Sequence, residues 1–182
     1  MKIKRTPLEG LLIIEPKVWR DSRGYFYESY NKSLFAEAGI ECDFVQDNQS
    51  LSQRGTLRGL HAQEAPFAQG KLVRVISGKV LDIAVDIRKG SPTFGKSLSI
   101  ELDGENNLML WIPVGFLHGF ATLEDNTIFS YKVSNFYNQA SEIGVRWNDP
   151  TLGIDWQLND EEVILSDKDK QLPFFKDFSS PF

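Results

Sequence analysis

In the stretch Val80-Leu81-Asp82-Ile83-Ala84-Val85-Asp86-Ile87, the large apolar side chains stand at every second position. Successive side chains of a β-strand point to opposite faces, so this period of two predicts a strand with one apolar face. Shorter runs of the same type recur between turn-forming Gly, Pro, Asn and Asp residues, at positions 11–14, 25–30, 72–76, 97–102, 108–112 and 128–133. Many short strands at close spacing predict an all-β fold, namely a sandwich, jelly roll or barrel.

Helix-forming segments are sparse in this sequence. Positions 32–38 follow Asn31, which suits a helix N-cap, and precede Gly39, which suits a helix end. A weaker helical or turn segment is expected after Ser166, at 167–170. Since helices long enough to cross between parallel strands are missing, the pattern argues against a doubly wound α/β fold.

The composition is that of a folded globular protein. The 182 residues are 41% hydrophobic and 25% charged, and we expect residues 1–182 to form a single domain. The formal charge of −5 provides no basic surface field, so neither nucleic acid nor a membrane is expected as a partner. The lone Cys42 excludes an internal disulfide, and the apolar run at 11–14 is too short for a secretion signal, so we expect a cytoplasmic protein.

The chain contains two histidines, His61 and His118, both within apolar, glycine-rich sequence. One such histidine taken alone is more often a half-buried structural residue than a functional one. Arg58 and Lys71 flank His61 in the sequence, however, and a cationic pocket in an acidic protein suits an anionic ligand or a developing enolate. We therefore treat both histidines as candidates for a functional site.

Strict alternation would place Arg58 and His61 on opposite faces of one strand, because their separation is odd. Gly59 lies between them, and a glycine inside a strand often marks a β-bulge that redirects its neighbours. A bulge there would allow both side chains to enter one cavity.

Three further polar clusters have a functional and a plain structural interpretation. Gln46 and Asn48 share a strand face and could bind a ligand, although Asp47-Asn48 also suits an ordinary turn. Tyr131 shares a face with Phe129 and Val133, as a core aromatic residue would. The run 166–170 resembles a solvated charged surface.

Blocks of sequence spread over nearly the whole chain resemble one known family. In order, they are Asp21-Ser22-Arg23-Gly24-Tyr25-Phe26-Tyr27-Glu28, Gln46-Asp47-Asn48, Leu57-Arg58-Gly59-Leu60-His61, 69–75, 86–95, 112–119, Tyr131-Lys132, Trp147-Asn148-Asp149-Pro150 and 166–169. On these blocks the chain resembles the dTDP-4-dehydrorhamnose 3,5-epimerase family of the cupin superfamily. Many ordered blocks are far more specific than a single short motif.

The resemblance implies a cupin-type double-stranded β-helix, or jelly roll, with a few short peripheral helices, acting as a homodimer without metal or other cofactor. Its substrate would be a dTDP-4-keto-6-deoxy sugar. By the resemblance His61 is the general base, Asp169 its partner and Tyr131 the proton donor on the opposite face, and we expect Lys71 to stabilise the enolate. Further residues are expected to bind the sugar, the phosphates or the nucleotide, with Tyr137 stacked on thymine: Arg23, Phe26, Glu28, Gln46, Asp47, Asn48, Arg58, His118, Tyr137, Glu142 and Lys168.

These residue types suit the implied chemistry. A 4-keto group acidifies the hydrogens on C3 and C5, and inversion requires a base and an acid on opposite faces of the sugar. Histidine titrates near neutral pH and suits the base, whereas tyrosine stays protonated and suits the donor. Cations near the C4 oxygen would stabilise the enolate.

Three alternatives remain open from the sequence. The chain could invert C3 or C5 alone, or it could be a jelly roll that binds a sugar nucleotide without turnover. A metal-dependent cupin is the third, since Pro113-x-Gly115-x-x-His118 resembles half of the cupin metal motif. The other half usually supplies a His-x-His pair, whereas Ala62 and Gln63 follow His61 here.

Overall fold

The computed structural model describes all 182 residues and is built mainly from β-strands. The strands are β1 (Lys2–Arg5), β2 (Leu12–Glu15), β3 (Trp19–Asp21), β4 (Gly24–Phe26), β5 (Gln46–Ser52), β6 (Leu57–Gln63), β7 (Lys71–Ser77), β8 (Lys79–Asp86), β9 (Ser97–Asp103), β10 (Met109–Ile112), β11 (Phe116–Thr122), β12 (Thr127–Val133) and β13 (Glu142–Gly144). The only α-helix is α1 (Lys32–Glu37), and short 3₁₀ turns cover Gln139–Ser141, Asp160–Glu162, Asp169–Gln171 and Phe175–Asp177.

The strands form two main antiparallel sheets. The six-stranded sheet has the order β1-β2-β10-β7-β12-β5, and the five-stranded sheet has the order β13-β6-β11-β8-β9. A separate hairpin consists of β3 and β4. Apolar side chains of both sheets, such as Val73 and Phe129 from one and Ala84 and Phe120 from the other, belong to one buried cluster. The sheets therefore face each other across a shared core, and the predicted all-β jelly roll is confirmed.

Strand β8 is buried on both faces, not on one as its alternation predicts. Leu81, Ile83 and Val85 contribute to a second apolar cluster, which the C-terminal segment covers with side chains such as Trp156. The opposite face points between the two sheets, where Asp82 is completely buried. The expectation of a single apolar, buried face fails because the opposite sheet buries one face of β8 and the 38 residues after β13 cover the other, and alternation in β8 reveals neither.

The predicted helix and its cap are confirmed. Asn31 caps α1 by accepting hydrogen bonds from the backbone amides of Ser33 and Leu34, and the chain leaves the helix through Gly39 with φ +84°. The predicted strand at 25–30 ends early, at Phe26. Its remainder departs from the hairpin because the ring of Tyr30 packs against Phe35 of the helix, with 5.3 Å between ring centroids.

The weaker segment predicted at 167–170 corresponds to a turn followed by the 3₁₀ turn Asp169–Gln171. No helix is both long and apolar enough to cross a membrane. The organisation of residues 1–182 as a single domain stays a prediction.

Candidate active site

A cavity of about 740 Å³ opens between the two sheets. Most of the residues that the sequence singles out line it: Asn48, Arg58, His61, Lys71, His118, Tyr131, Tyr137, Glu142, Lys168 and Asp169. Gln46 lines an adjoining pocket that shares several of these side chains. The fold thus gathers residues from six strands, the loop before β13 and the C-terminal segment into one polar cavity.

His61 and Asp169 form a hydrogen-bonded pair in the wall of the cavity. Nε2 of His61, on β6, lies 2.6 Å from Oδ1 of Asp169, although 108 residues separate them in the chain. Asp169 is only 3% exposed. Burial by itself would raise the pKa of this carboxyl, but the hydrogen bond and charge of His61 outweigh burial and hold the pKa below its usual value. Asp169 is therefore an anion that orients the imidazole ring of His61.

The run 166–170 is solvated, as its charges suggest, except at Asp169, which is buried. Arg146 holds this run, since the Arg146 guanidinium donates to the carbonyl oxygens of Lys170 at 2.7 Å and Leu172 at 3.3 Å. The backbone amide of Asp169 also donates to Oγ of Ser166 at 3.1 Å. Asp167, two positions earlier, points outward with its side chain 92% exposed. The same run thus supplies one buried carboxylate paired with His61 and one exposed surface carboxylate.

The predicted bulge at Gly59 is confirmed. His61 of β6 pairs with His118 of β11, whereas Arg58 pairs with Phe120, so β6 holds one extra residue over this interval. Gly59 has φ +133°, and a Cβ there would lie 2.5 Å from Cα of Gly119. Because of the bulge, Arg58 and His61 line the same cavity despite their odd spacing.

His118 forms a second histidine–carboxylate pair that the sequence reasoning missed. Its Nε2 lies 2.9 Å from Oδ2 and 3.0 Å from Oδ1 of Asp82, on the adjacent strand β8. Burial raises the pKa of Asp82, although His118 and Lys71 oppose that rise. The sequence did contain a signal for this pair: Asp82 interrupts an apolar strand, and a buried carboxylate requires a charged or hydrogen-bonding partner. No group of three or more His, Cys, Asp and Glu side chains is arranged to hold a metal ion.

Lys71 and Tyr131 line the cavity from the six-stranded sheet, on β7 and β12, opposite the strands that carry the histidines. Burial lowers the pKa of Lys71 to about 8, although Glu142 and Asp82 oppose the change. Burial also raises the pKa of Tyr131, so its hydroxyl keeps its proton at neutral pH. A histidine and a protonated tyrosine thus stand on opposite sheets, with a titratable lysine in the same cavity.

Tyr137, Glu142 and Lys168 form a linked set at one end of the cavity. The Tyr137 hydroxyl donates to Oε2 of Glu142 at 3.0 Å, and Nζ of Lys168 donates to Oε1 at 2.5 Å. Burial works against the charge of Glu142, but these bonds and the charge of His61 lower its pKa. The ring of Tyr137 stays 52% exposed and is free to meet a planar ligand.

Four predicted binding residues lie outside the cavity of this chain. Asp47 points to the other face of β5 from Gln46 and Asn48, where it pairs with Lys132 at 2.9 Å. Strand alternation predicts this orientation, because neighbouring residues of a strand point to opposite faces. The block 46–48 therefore does not act as one continuous binding motif. Arg23, Phe26 and Glu28 belong to the exposed β3–β4 hairpin and the turn after it, where Arg23 pairs with Asp21 and Glu28 accepts a hydrogen bond from Asn31.

Comparison of the chain with known proteins identifies its family. Residues 5–177 match the family model described as dTDP-4-dehydrorhamnose 3,5-epimerase. The chain belongs to this family. A dTDP-4-dehydrorhamnose 3,5-epimerase of Shigella flexneri is 51% identical over 170 residues, covering 93% of each chain.

Solved structures of the family agree with the fold. The enzyme from Elizabethkingia anophelis superposes with a TM-score of 0.93 at 51% identity, covering 97% of both chains. A dTDP-6-deoxy-D-glucose-3,5-epimerase from Legionella pneumophila, solved in complex with dTDP-4-keto-L-rhamnose, gives a TM-score of 0.94 at 47% identity, covering 98% of this chain and 94% of that one. The family expected from the ordered sequence blocks is therefore confirmed, together with its jelly roll.

Proposed function

We propose that the protein inverts C3 and C5 of dTDP-4-dehydro-6-deoxy-D-glucose and so forms dTDP-4-dehydro-L-rhamnose for dTDP-L-rhamnose synthesis. One observation carries the proposal: the His61–Asp169 pair and Tyr131 face the same cavity from opposite sheets. Inversion requires this arrangement, because the proton must leave from one face of the carbon and return to the other. The family to which the chain belongs supports the choice of substrate.

In the first step His61 removes the hydrogen next to the 4-keto group. Asp169 occupies Nε2, so the other ring nitrogen takes the proton, and the C–H electron pair moves into an enolate with its charge on the C4 oxygen. The ionised Asp169 stabilises the imidazolium that results. The C4 oxygen then requires positive charge or hydrogen-bond donors nearby.

Lys71, Arg58 and His118 are the cavity groups that can stabilise the enolate. Each such donor typically lowers the barrier by roughly 3 kcal/mol. Asp82 holds the His118 ring by a hydrogen bond and attracts the Lys71 cation. In the second step Tyr131 donates its hydroxyl proton to the opposite face of the carbon and becomes a phenolate, which solvent reprotonates.

The nucleotide is proposed to bind at the Tyr137 end of the cavity. The half-exposed Tyr137 ring offers a face for thymine, while Lys168 offers positive charge to the diphosphate. Asn48 and Gln46 supply amide groups on one strand face, where Gln46 Nε2 donates to Asn48 Oδ1 at 2.8 Å. Glu142 would accept hydrogen bonds from the nucleoside.

We further propose that the enzyme works as a homodimer in the cytoplasm. The β3–β4 hairpin exposes Trp19, Tyr25 and Phe26, which is unusual for a free surface. Arg23, Phe26 and Glu28, absent from the cavity of their own chain, would bind the nucleotide in the second copy if the hairpin reaches it. Sedimentation of the purified protein tests the dimer. The cytoplasm is proposed because a chain with a single cysteine forms no internal disulfide bond and so has no need of an oxidising compartment.

Turnover in deuterated water tests the proposed reaction directly. With dTDP-4-keto-6-deoxyglucose as substrate, we expect deuterium and inversion at both C3 and C5 by NMR once a 4-ketoreductase traps the product. Label at one carbon would indicate a mono-epimerase, and binding without label would indicate a non-catalytic module. His61→Ala should abolish exchange with dTDP binding intact, and activity that depends on a bound metal would contradict the cofactor-free mechanism.

A further inference from the structure

Tyr137 lies in a loop formed by residues 134–138. Glutamine side chains from elsewhere in the chain hydrogen-bond to the backbone of this loop at each of the four positions 135–138. Gln69 Nε2 donates to the carbonyl oxygen of Asn135 at 2.7 Å. Gln46 Oε1 accepts from the backbone amide of Tyr137 at 3.3 Å. The remaining two positions, 136 and 138, are both held by Gln63. This loop belongs to no strand, so these side chains replace the ladder bonds that would otherwise order it.

Gln63 grips the backbone on both sides of Tyr137. Its Nε2 donates to the carbonyl oxygen of Phe136 at 3.2 Å, and its Oε1 accepts from the backbone amide of Asn138 at 2.7 Å. Nε2 also donates to the carbonyl oxygen of Phe67 at 3.2 Å, which ties the loop to the segment after β6. A neutral side chain that donates two hydrogen bonds and accepts a third must carry a carboxamide group, which only glutamine and asparagine have. Asparagine is one methylene shorter.

Gln63 is itself fixed in place. It is 4% exposed and lies at the end of β6, two residues after His61. Its amide group is therefore a rigid link between the strand that carries the histidine and the loop that carries the aromatic ring. Phe136 and Tyr137 are both exposed, so neighbouring side chains contribute little packing to hold this loop.

We propose that Gln63 is a positioning residue for Tyr137: it presets the ring at the cavity mouth for the nucleotide base. The inference rests on the proposed function, in which Tyr137 stacks on thymine. A ring held in its binding position before the ligand arrives does not lose loop freedom on binding, so affinity rises without any new contact. The effect of Gln63 should therefore appear in nucleotide binding and leave the proton transfers unchanged.

The test is Gln63→Leu, with dTDP titrated by calorimetry and epimerisation followed by NMR. Loss of the two bonds that flank Tyr137 should raise the dTDP Kd and the substrate KM about tenfold, while kcat changes by less than about twofold. Gln53→Leu is the matched control: Gln53 is exposed, its side chain hydrogen-bonds to Asn126 and it does not line the cavity, so the change should leave KM unchanged.

A double-mutant cycle separates positioning of Tyr137 from a general structural role. In a Tyr137→Ala background, Gln63→Leu should have no further effect on dTDP affinity, because no ring is left to position. An equal penalty with and without the ring would overturn the inference, as would an unchanged Kd in the single variant. If Gln63→Leu does not fold, Gln63→Glu serves in the same cycle, since it keeps the acceptor for Asn138 but loses both donated bonds.

The outcomes distinguish this inference from the function on which it rests. Wild-type protein that binds dTDP but exchanges no deuterium refutes the proposed epimerisation, whereas the titrations with Gln63→Leu stay decisive for the positioning role. Normal wild-type turnover with an unchanged KM in Gln63→Leu refutes the positioning role alone.

Discussion

Replacing Asp169 by asparagine should slow proton abstraction strongly without disturbing the fold. The variant keeps the size of the side chain and an oxygen near Nε2 of His61, but it removes the negative charge. The bond in question is short, at 2.6 Å, and its carboxylate is 3% exposed, so solvent compensates little for the lost charge. Hydrogen bonds to charged groups contribute about 1.5–3 kcal/mol. At about 1.4 kcal/mol per tenfold change in rate, this corresponds to roughly a 10- to 150-fold loss, and burial favours the upper part of that range.

The measurement is the initial rate of deuterium incorporation at C3 and C5, with dTDP affinity and thermal unfolding recorded alongside. Asp167→Asn is the matched control, because Asp167 lies in the same run but is 92% exposed, and it should keep the parental rate. Exchange in Asp169→Asn within about twofold of the parent, at unchanged dTDP affinity, would show that the carboxylate does not assist His61.

Three other changes test separate parts of the site. Because burial lowers the pKa of Lys71 to about 8 in the free protein, the amine loses its charge above that pH, and kcat/KM should fall about tenfold per pH unit on the alkaline side. Lys71→Arg, which keeps its charge, should remove this alkaline decline. Tyr131→Phe should still exchange deuterium through His61 but fail to invert, and inversion of both carbons at the parental rate would exclude Tyr131 as the donor. Gly59→Ala should lower the free energy of unfolding in urea by about 3 kcal/mol. Gly24 has a similar φ of +124° but lies in open space, so Gly24→Ala should lower the free energy of unfolding markedly less. An equal loss in the two variants would show that the close approach of Gly59 to Gly119 is unimportant.

Local patterns in the sequence were sufficient for much of the scaffold. Alternation located most strands, and Asn31 and Gly39 bounded the helix, because these features depend on neighbouring residues only. The bulge at Gly59 was also predictable, since two polar residues of odd spacing needed a break in alternation to meet. In contrast, the burial of both faces of β8 depends on the distant C-terminal segment.

Pairings across the fold were beyond local reasoning. The His61–Asp169 pair came only from the family resemblance, because no local pattern links residues 108 positions apart. The Asp82–His118 pair was missed, as it requires knowing that β8 and β11 are neighbours. The positions of Arg23 and Phe26 outside the cavity likewise depend on tertiary structure, and they leave their binding role a prediction.

The route by which Asp169 reaches His61 has a consequence for how this protein could lose or change its activity. The strand scaffold is complete at Gly144, and the carboxylate arrives on a later segment that Arg146 fastens through backbone carbonyls. The stretch around Asp169 lies outside the sheets and most of its side chains are exposed, and such stretches open locally at lower free-energy cost than buried strands do. Catalytic competence and global stability are thus separable quantities here. A local opening of residues 166–172 would take the carboxylate away from His61 while the sheets stay folded, so an intact β-sheet spectrum does not show that a preparation is active.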